Sequence, residues 1–504
     1  MLEVLDPTRS WSACLPPLEA GRAGTGSAGS GENGAVTVHR LSGTDAFFLV
    51  SERATSPMHV GGLTVLDPTG VDGFGPAAVR ALLARRLASV PAFLRRLHEV
   101  AFGLDYPVWV DDPGFDLDQH FHVAPVPAPG GRHELGAVVG ELMGRRLDRS
   151  RPLWDVWYLE GLAAGRVAVL TRTHHSMADG VSGAGLAAAL CDLEPGTSPD
   201  QRRTAPPPMA EPPPDEVGLA VHAVGRVLGT PVRAGRLAWQ LTRQGVELAR
   251  FAARREPDPT PLGILPAPST PFNGHIGPDR AFAFSGVSLD VVRELKARHG
   301  VTVNDVVLAL TSDALRAYLQ DIDALPEAPL VAAVPVSTRD VADDELGNRV
   351  ANMMVPLATD VADAGERLQT IHRAASRAKR LTAALQARKS LAIGEGAPPV
   401  AIRLVWPFLA AGVEALTLIP SNLIIANVPG PTFPLYIGGA RIESIIPVSA
   451  LLLGMGLNVT VMSYQDDLEF GFAADPRGIP DLWALADGVP RALDALIAAD
   501  AGLS

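Results

Sequence analysis

The chain has 504 residues, of which 47% are apolar and only 19% charged, and it carries a formal net charge of −12. That length exceeds one ordinary core and predicts two domains. The acidic balance argues against a nucleic-acid partner, whose phosphates require a dense basic surface, and the two cysteines, Cys14 and Cys191, form neither a disulfide framework nor a zinc-type spacing.

The N-terminus, "MLEVLDPTRSWSACLPPLEAG", starts acidic and lacks an apolar stretch of signal-peptide length. With so few cysteines, the expected compartment is the cytoplasm. Residues 1–35 end in Gly/Ser/Ala repeats with nothing to bury and read as a disordered tail. Residues 36–200 read as a first α/β domain. Within it "VRALLARRLASV" (79–90) and "ELGAVVGELMGRRL" (134–147) have helical apolar spacing, and "RVAVLT" (166–171) reads as a buried strand. A helix is expected over 183–193.

Residues 201–270 form a linker. Its prolines at 206–208 and 212–214 exclude helix interior and sheet, and a helical stretch follows from about Val217. A second α/β region, 271–504, contains the helix "LDVVRELKARHG" (289–300), the strand "LVAAVPV" (330–336) and a terminal run of strands between about Leu418 and Phe472. Uncharged runs at 415–440 and 445–465 are broken by proline, glycine and asparagine, so they read as strands and turns and not as bilayer spans.

Chemistry concentrates in "THHSMADGVSG" (173–183), where a buried strand ends and a loop begins. His175 reads as a general base, since imidazole titrates near neutral pH and can take a proton from a hydroxyl. A metal site of His174, His175 and Asp179 is a second reading, though adjacent residues of an extended strand point to opposite faces. A nucleophile at Ser182 is a third, with Ala184 standing where a nucleophile elbow has glycine. A buried histidine pair with a capping aspartate competes with all three.

The string His174-His175-x-x-x-Asp179-Gly180 resembles the motif of the CoA-dependent acyltransferase superfamily. Its companions, in order, are "LSGTDAFFL" (41–49), "SPMHVGGL" (56–63), "LDRSRPLWDVWYLEGL" (147–162), "TPFNGHIGPDR" (270–280), "TVNDVVLAL" (302–310), "VPVSTR" (334–339), "GNRVANMMVPL" (347–357) and "NVPGPTFPLYIGGA" (427–440). Together they resemble the bacterial wax ester synthase/diacylglycerol acyltransferase family over residues 38–490.

The resemblance implies two chloramphenicol-acetyltransferase-like α/β domains with mixed sheets and flanking helices, joined by a long linker, with the active site at their interface. It implies transfer of a fatty acyl group from acyl-CoA to diacylglycerol or a fatty alcohol. No metal and no cofactor is implied, acyl-CoA being a co-substrate. His175 would be the base, Asp179 would support the motif and His174 would shape the site, so Ser182 is not required as a nucleophile. Asn304, Asp305, Pro152, Leu153, Trp154 and Gly180 would contact substrate. For Asn304 and Asp305 a helix cap is the competing reading, and for Trp154 a place in the core. Ser337, Arg339 and Asn348 are further polar candidates beside a solvated-loop reading. Gly43 departs from the proline common in the family, a change confined to a turn.

Substrates so apolar imply contact with a membrane or lipid body. The basic stretch 366–392, with Arg367, Arg373, Arg377, Lys379, Arg380, Arg388 and Lys389, could lie on anionic lipid or cover the domain. Two rival functions share these features: an acyltransferase using another hydroxyl acceptor or a carrier-protein donor, and a lipid-binding relative without catalysis.

Overall fold

The computed structural model describes residues 39–41, 43–87, 90–100, 105–177, 190–195, 267–337, 350–386, 421–452 and 454–501. The expected tail (1–35), most of the linker (201–270), Asp179, Gly180, Ser182, Arg339, Asn348, Arg388 and Lys389 lie outside the described residues. So does most of the helix expected over 183–193.

In the N-terminal half the elements are β1 (His39–Arg40), α1 (Gly43–Ser51), β2 (His59–Asp67), α2 (Pro76–Leu87), β3 (Arg95–His98), β4 (Val108–Asp111), β5 (Phe121–Pro125), α3 (Arg132–Gly144), β6 (Trp154–Glu160) and β7 (Val167–His174). The C-terminal half continues with β8 (Asn273–Gly274), β9 (Ala281–Ser288), α4 (Leu289–His299), α5 (Val303–Asp321), β10 (Val331–Ser337), β11 (Val350–Pro356) and α6 (Ala364–Gln386). It ends with β12 (Leu423–Val428), β13 (Tyr436–Ile437), β14 (Ala440–Val448), β15 (Gly454–Met455), β16 (Leu457–Tyr464), β17 (Asp467–Ala474), α7 (Leu482–Ala486) and α8 (Gly488–Ala501).

Two six-stranded sheets organise these elements, in the orders β13-β14-β2-β7-β6-β5 and β11-β10-β12-β16-β17-β9. Both are mixed, as the expected fold class requires. In the first only β5 and β6 run parallel, and in the second β12 is parallel to both its neighbours. Strand β7 is buried along its whole length, so its sequence reads as a near-continuous apolar run that turns polar only toward the site. Helix α4 shows why its boundaries are legible. The Ser288 hydroxyl accepts the Val291 N–H at its start, and Gly300, at φ +66°, supplies the left-handed residue that ends it.

The C-terminal half also completes the N-terminal sheet. Strand β14 pairs antiparallel with β2, placing Ile446 opposite Leu63 and Val448 opposite Gly61. The unit expected over 271–504 therefore contributes β13 and β14 to the sheet that carries the histidine motif. Helix α3 closes the contact from the other side. Its Gly136 and Gly140 lie against the backbone of β9 and the residue before it, where an added Cβ would come within 2.5 Å of the Phe282 and Arg280 carbonyl oxygens. Only glycine allows that approach. Polar ties fasten the same seam: Ser56 Oγ donates to the Leu451 carbonyl at 2.9 Å, and Arg280 donates to the Thr55 carbonyl at 2.7 Å.

Behind the second sheet, α5, α6 and α8 pack into a core that includes Leu310, Leu319, Phe470 and Phe472. The basic helix α6 belongs to this core on one side. Arg367 is buried and pairs with Asp313, and Arg377 is also buried, whereas Arg373, Lys379 and Arg380 are exposed. Among the described residues no helix is long and apolar enough to cross a membrane.

Candidate active site

The site begins where β7 ends. His59 of β2 stands opposite His174, and the antiparallel ladder continues one residue further, with the His175 N–H donating to the Met58 carbonyl at 2.7 Å. On the other edge, the His174 N–H donates to the Leu153 carbonyl at 2.9 Å. The two motif histidines are thus clamped between neighbouring strands before either side chain is considered. Gly61, two residues into β2, makes this possible: a Cβ there would lie 1.9 Å from the Thr171 carbonyl oxygen.

His174 ends β7 and His175 opens the short 3-10 turn that follows, so the two imidazoles are held differently. His174 shares a face with Arg172 and His59, toward α3. Its Nδ1 accepts the Ser176 N–H at 3.1 Å, with the Ser176 hydroxyl 2.7 Å away. An accepting Nδ1 leaves the proton on Nε2, and Nε2 lies 3.7 Å from Oε1 of Glu52. Burial pushes His174 down to about 3, helped by Arg149, His175 and Arg146. It is neutral throughout the physiological range.

His175 lies against α1. Its ring is half-buried and stacks on Phe48 with centroids 3.7 Å apart and planes 14° from parallel. Burial lowers its pKa to about 4, opposed by a hydrogen bond to its own backbone. A neutral imidazole held in one orientation is what a proton acceptor needs. The two rings have different partners, Ser176 and Glu52 for His174 and Phe48 for His175.

Below the histidines, Arg172 and Asp155 form a buried pair, with Nε donating to Oδ1 at 2.8 Å. Arg172 also donates to the carbonyls of Leu142 and Arg145, which ties β7 to the end of α3. His59 donates to the Met143 carbonyl at 3.0 Å and is held neutral chiefly by burial, with the Arg172 charge adding to it.

The residues expected at substrate take different places. Pro152, Leu153 and Trp154 are buried. Trp154 stacks on His120 at 4.5 Å, and its indole N–H donates to the Phe93 carbonyl at 2.7 Å, so the ring belongs to the first sheet's core. Leu153 serves the site through its carbonyl. Asp305 closes a capping box on α5: Oδ2 accepts the Thr302 N–H at 2.9 Å, while its own N–H donates to the Thr302 hydroxyl at 3.2 Å. The same oxygen takes the His372 Nδ1–H at 2.8 Å. Asn304 beside it is half-buried. Among the described residues no hydrogen bond or ion pair joins this pair to His174 or His175. Ser337 ends β10.

Sequence reasoning missed Phe48, Glu52 and Met58, and the arginines that meet Glu52. Their signal was present: "LSGTDAFFL" and "SPMHVGGL" flank Glu52, and the Arg-rich "GRRLDRSR" (144–151) calls for a carboxylate partner.

Comparison with known proteins gives this site a family. The wax ester synthase/diacylglycerol acyltransferase catalytic domain matches residues 41–307, and the C-terminal domain of that family matches 346–497. A Mycobacterium tuberculosis protein named as a diacylglycerol O-acyltransferase is 37% identical over 492 residues, covering 96% of this chain and 95% of the relative. The structure of the wax ester synthase/diacylglycerol acyltransferase from Marinobacter aquaeolei VT8 is 31% identical, with a TM-score of 0.65, covering 91% of this chain and 99% of that one. A trichothecene 15-O-acetyltransferase from Fusarium sporotrichioides, 14% identical with a TM-score of 0.54 and coverage of 91% and 94%, shares the fold. With both family domains matched in order around a clamped histidine pair, the chain belongs to the wax ester synthase/diacylglycerol acyltransferase family.

Proposed function

We propose that the protein transfers a long-chain fatty acyl group from acyl-CoA to the hydroxyl of diacylglycerol, of a long-chain alcohol, or of both. The observation that carries this reading is His175, a neutral imidazole clamped at the end of β7 and stacked on Phe48, in a chain matched to the family along both its domains.

His175 takes the proton of the acceptor hydroxyl as that oxygen attacks the thioester carbonyl. The carbon–oxygen ester bond forms, the carbon–sulfur bond breaks, and CoA leaves as a thiolate that is then protonated. A thioester is already activated, so a single base suffices and no acyl-enzyme is needed. A well-placed general base contributes on the order of 10²- to 10⁴-fold. Beyond acyl-CoA as co-substrate the reaction calls for no cofactor and no metal. In this reading Asp179 supports the motif, and Gly180, Asn304 and Asp305 contact substrate.

In the same reading the enzyme is cytoplasmic, and its apolar substrates call for contact with a membrane face or lipid body. Arg373, Lys379 and Arg380, exposed on α6, are the cationic groups that would meet anionic lipid.

The test is release of free CoA from palmitoyl-CoA with dioleoylglycerol or hexadecanol as acceptor, for wild type and His175→Ala. Acceptor-dependent release lost in the variant is expected, and the faster acceptor names the product. Undiminished release in the variant would move the chemistry elsewhere.

A further inference from the structure

Glu52 is a buried carboxylate that the mechanism does not use. It follows α1 directly, its N–H donating to the Phe48 carbonyl at 3.1 Å, so the turn that presents Phe48 to His175 also sets Glu52. Its two oxygens face different partners. Oε1 accepts the Met58 N–H at 3.4 Å and lies 3.7 Å from His174 Nε2. Oε2 accepts from Arg149 Nε at 3.0 Å and Nη2 at 2.7 Å, and from Arg146 Nη2 at 3.2 Å. Arg149 also donates to the Leu49 carbonyl at 2.7 Å, fastening the C-terminus of α1.

One carboxylate therefore answers two guanidiniums beside a neutral imidazole. Met58, whose N–H it holds, is the residue whose carbonyl holds the His175 N–H. We infer that Glu52 is a positioning residue of the acyl transfer: through Met58 it fixes the backbone of His175, and through its charge it shields His174, the neighbour of His175, from Arg146 and Arg149. This rests on the acyl-transfer reading for its consequence in rate, though not for the electrostatic coupling itself. The other charged or titratable groups facing the pair are His59 on β2, Arg172 on β7 and Arg280 before β9.

The experiment compares wild type, Glu52→Gln and Arg146→Gln as full chains. Gln keeps an acceptor for Met58 and removes the charge, with an amide N–H in place of the Oε2 that accepts from the two guanidiniums. Arg146 approaches from the solvent side, with its side chain 42% exposed, so its variant perturbs the cluster without opening the core. Two readouts are taken: the dependence of kcat and KM on pH, between about pH 3.5 and about pH 8, and the titration of His175 by NMR of histidine-labelled protein.

Loss of the negative charge favours the neutral imidazole, so Glu52→Gln moves the His175 midpoint down by on the order of half a pH unit. Arg146→Gln moves it up by a similar amount. In Glu52→Gln, kcat falls on the order of tenfold while KM for palmitoyl-CoA stays within about threefold. A scaffold role alone would lower activity at every pH without opposed shifts. Midpoints unmoved in both variants would overturn the inference, as would a loss carried wholly by KM. If Glu52→Gln does not fold, an unmoved midpoint in Arg146→Gln suffices to overturn it. A wild type that transfers to neither acceptor would fail the functional reading, while the NMR midpoints still decide the coupling.

Discussion

Phe48 and His175 stack face to face with ring centroids 3.7 Å apart and planes 14° from parallel, in the surroundings whose burial keeps the motif's second histidine neutral. The aromatic face covers one side of the imidazole and contributes to the burial that holds it near 4. It also restricts the ring to a narrow range of rotation.

Phe48→Ala should therefore act on rate and pH together. Water entering beside His175 raises its pKa toward the ordinary value near 6.5. The base works only when unprotonated, so the acidic limb of kcat/KM should move to higher pH. Freed rotation should lower kcat on the order of tenfold or more. Phe48→Leu, which keeps the cover but not the flat face, should move the limb less. An unchanged limb in Phe48→Ala would show that other groups set the burial of His175.

Trp154 gives a prediction about stability and not about substrate. Its ring packs on His120 and Phe93 in the core, and its indole N–H is satisfied by the Phe93 carbonyl. Trp154→Ala should cost roughly 3–5 kcal/mol, and Trp154→Phe, which loses the hydrogen bond and some volume, about 1–2 kcal/mol. Denaturant unfolding measures both. A Trp154→Phe variant with native stability but a raised KM would instead place the ring at substrate.

These two residues mark what the sequence makes legible. An apolar run ending in Thr173-His174-His175 announces a buried strand that delivers its histidines at a tip, because burial and strand ends are local patterns. The caps of α4 are local too: Ser288 and Gly300 each act on their own turn. The pairing of β14 with β2 has no such signature, since both strands are apolar and several hundred residues apart. Glu52 was missed for the same reason, its arginine partners lying 94 and 97 residues away. Trp154 stood between pocket and core because composition says that a Trp is buried but not what it is buried against.

Asp305 separates a cap from a substrate ligand. Its carboxylate accepts the Thr302 N–H and the His372 Nδ1–H, joining the start of α5 to α6. Asp305→Ala removes both and should cost about 1–3 kcal/mol. If the family pair Asn304-Asp305 also contacts substrate, Asn304→Ala should raise KM for one substrate several-fold with little change in the melting temperature, since Asn304 makes no cap contact. Unchanged kinetics in Asn304→Ala would leave the pair a structural one.

Burial lowers the pKa of five histidines, His59, His120, His122, His174 and His175, and a pH dependence of stability follows from the most buried of them. His174 lies at about 3, His175 at about 4, and His59 well below its ordinary value. Their folded pKa values are depressed, so between about pH 6.5 and about pH 4 the unfolded chain binds protons that the folded chain refuses. Stability is then fully present above about pH 6.5 and is lost as pH falls toward the folded values. Each fully buried histidine adds a slope approaching about 1.4 kcal/mol per pH unit, and the half-buried His175 adds less. Urea unfolding at a series of pH values should show this loss beginning below about pH 6.5, offset in part by Glu469, whose carboxyl burial pushes up to about 7 and whose protonation favours the folded state as pH falls. His59→Gln can keep a donor to the Met143 carbonyl while removing one titrating group, so it should flatten the slope between about pH 6 and about pH 5 even if it lowers stability at pH 7. A slope equal to that of the wild type would mean that His59 takes up protons in the folded protein as readily as in the unfolded chain.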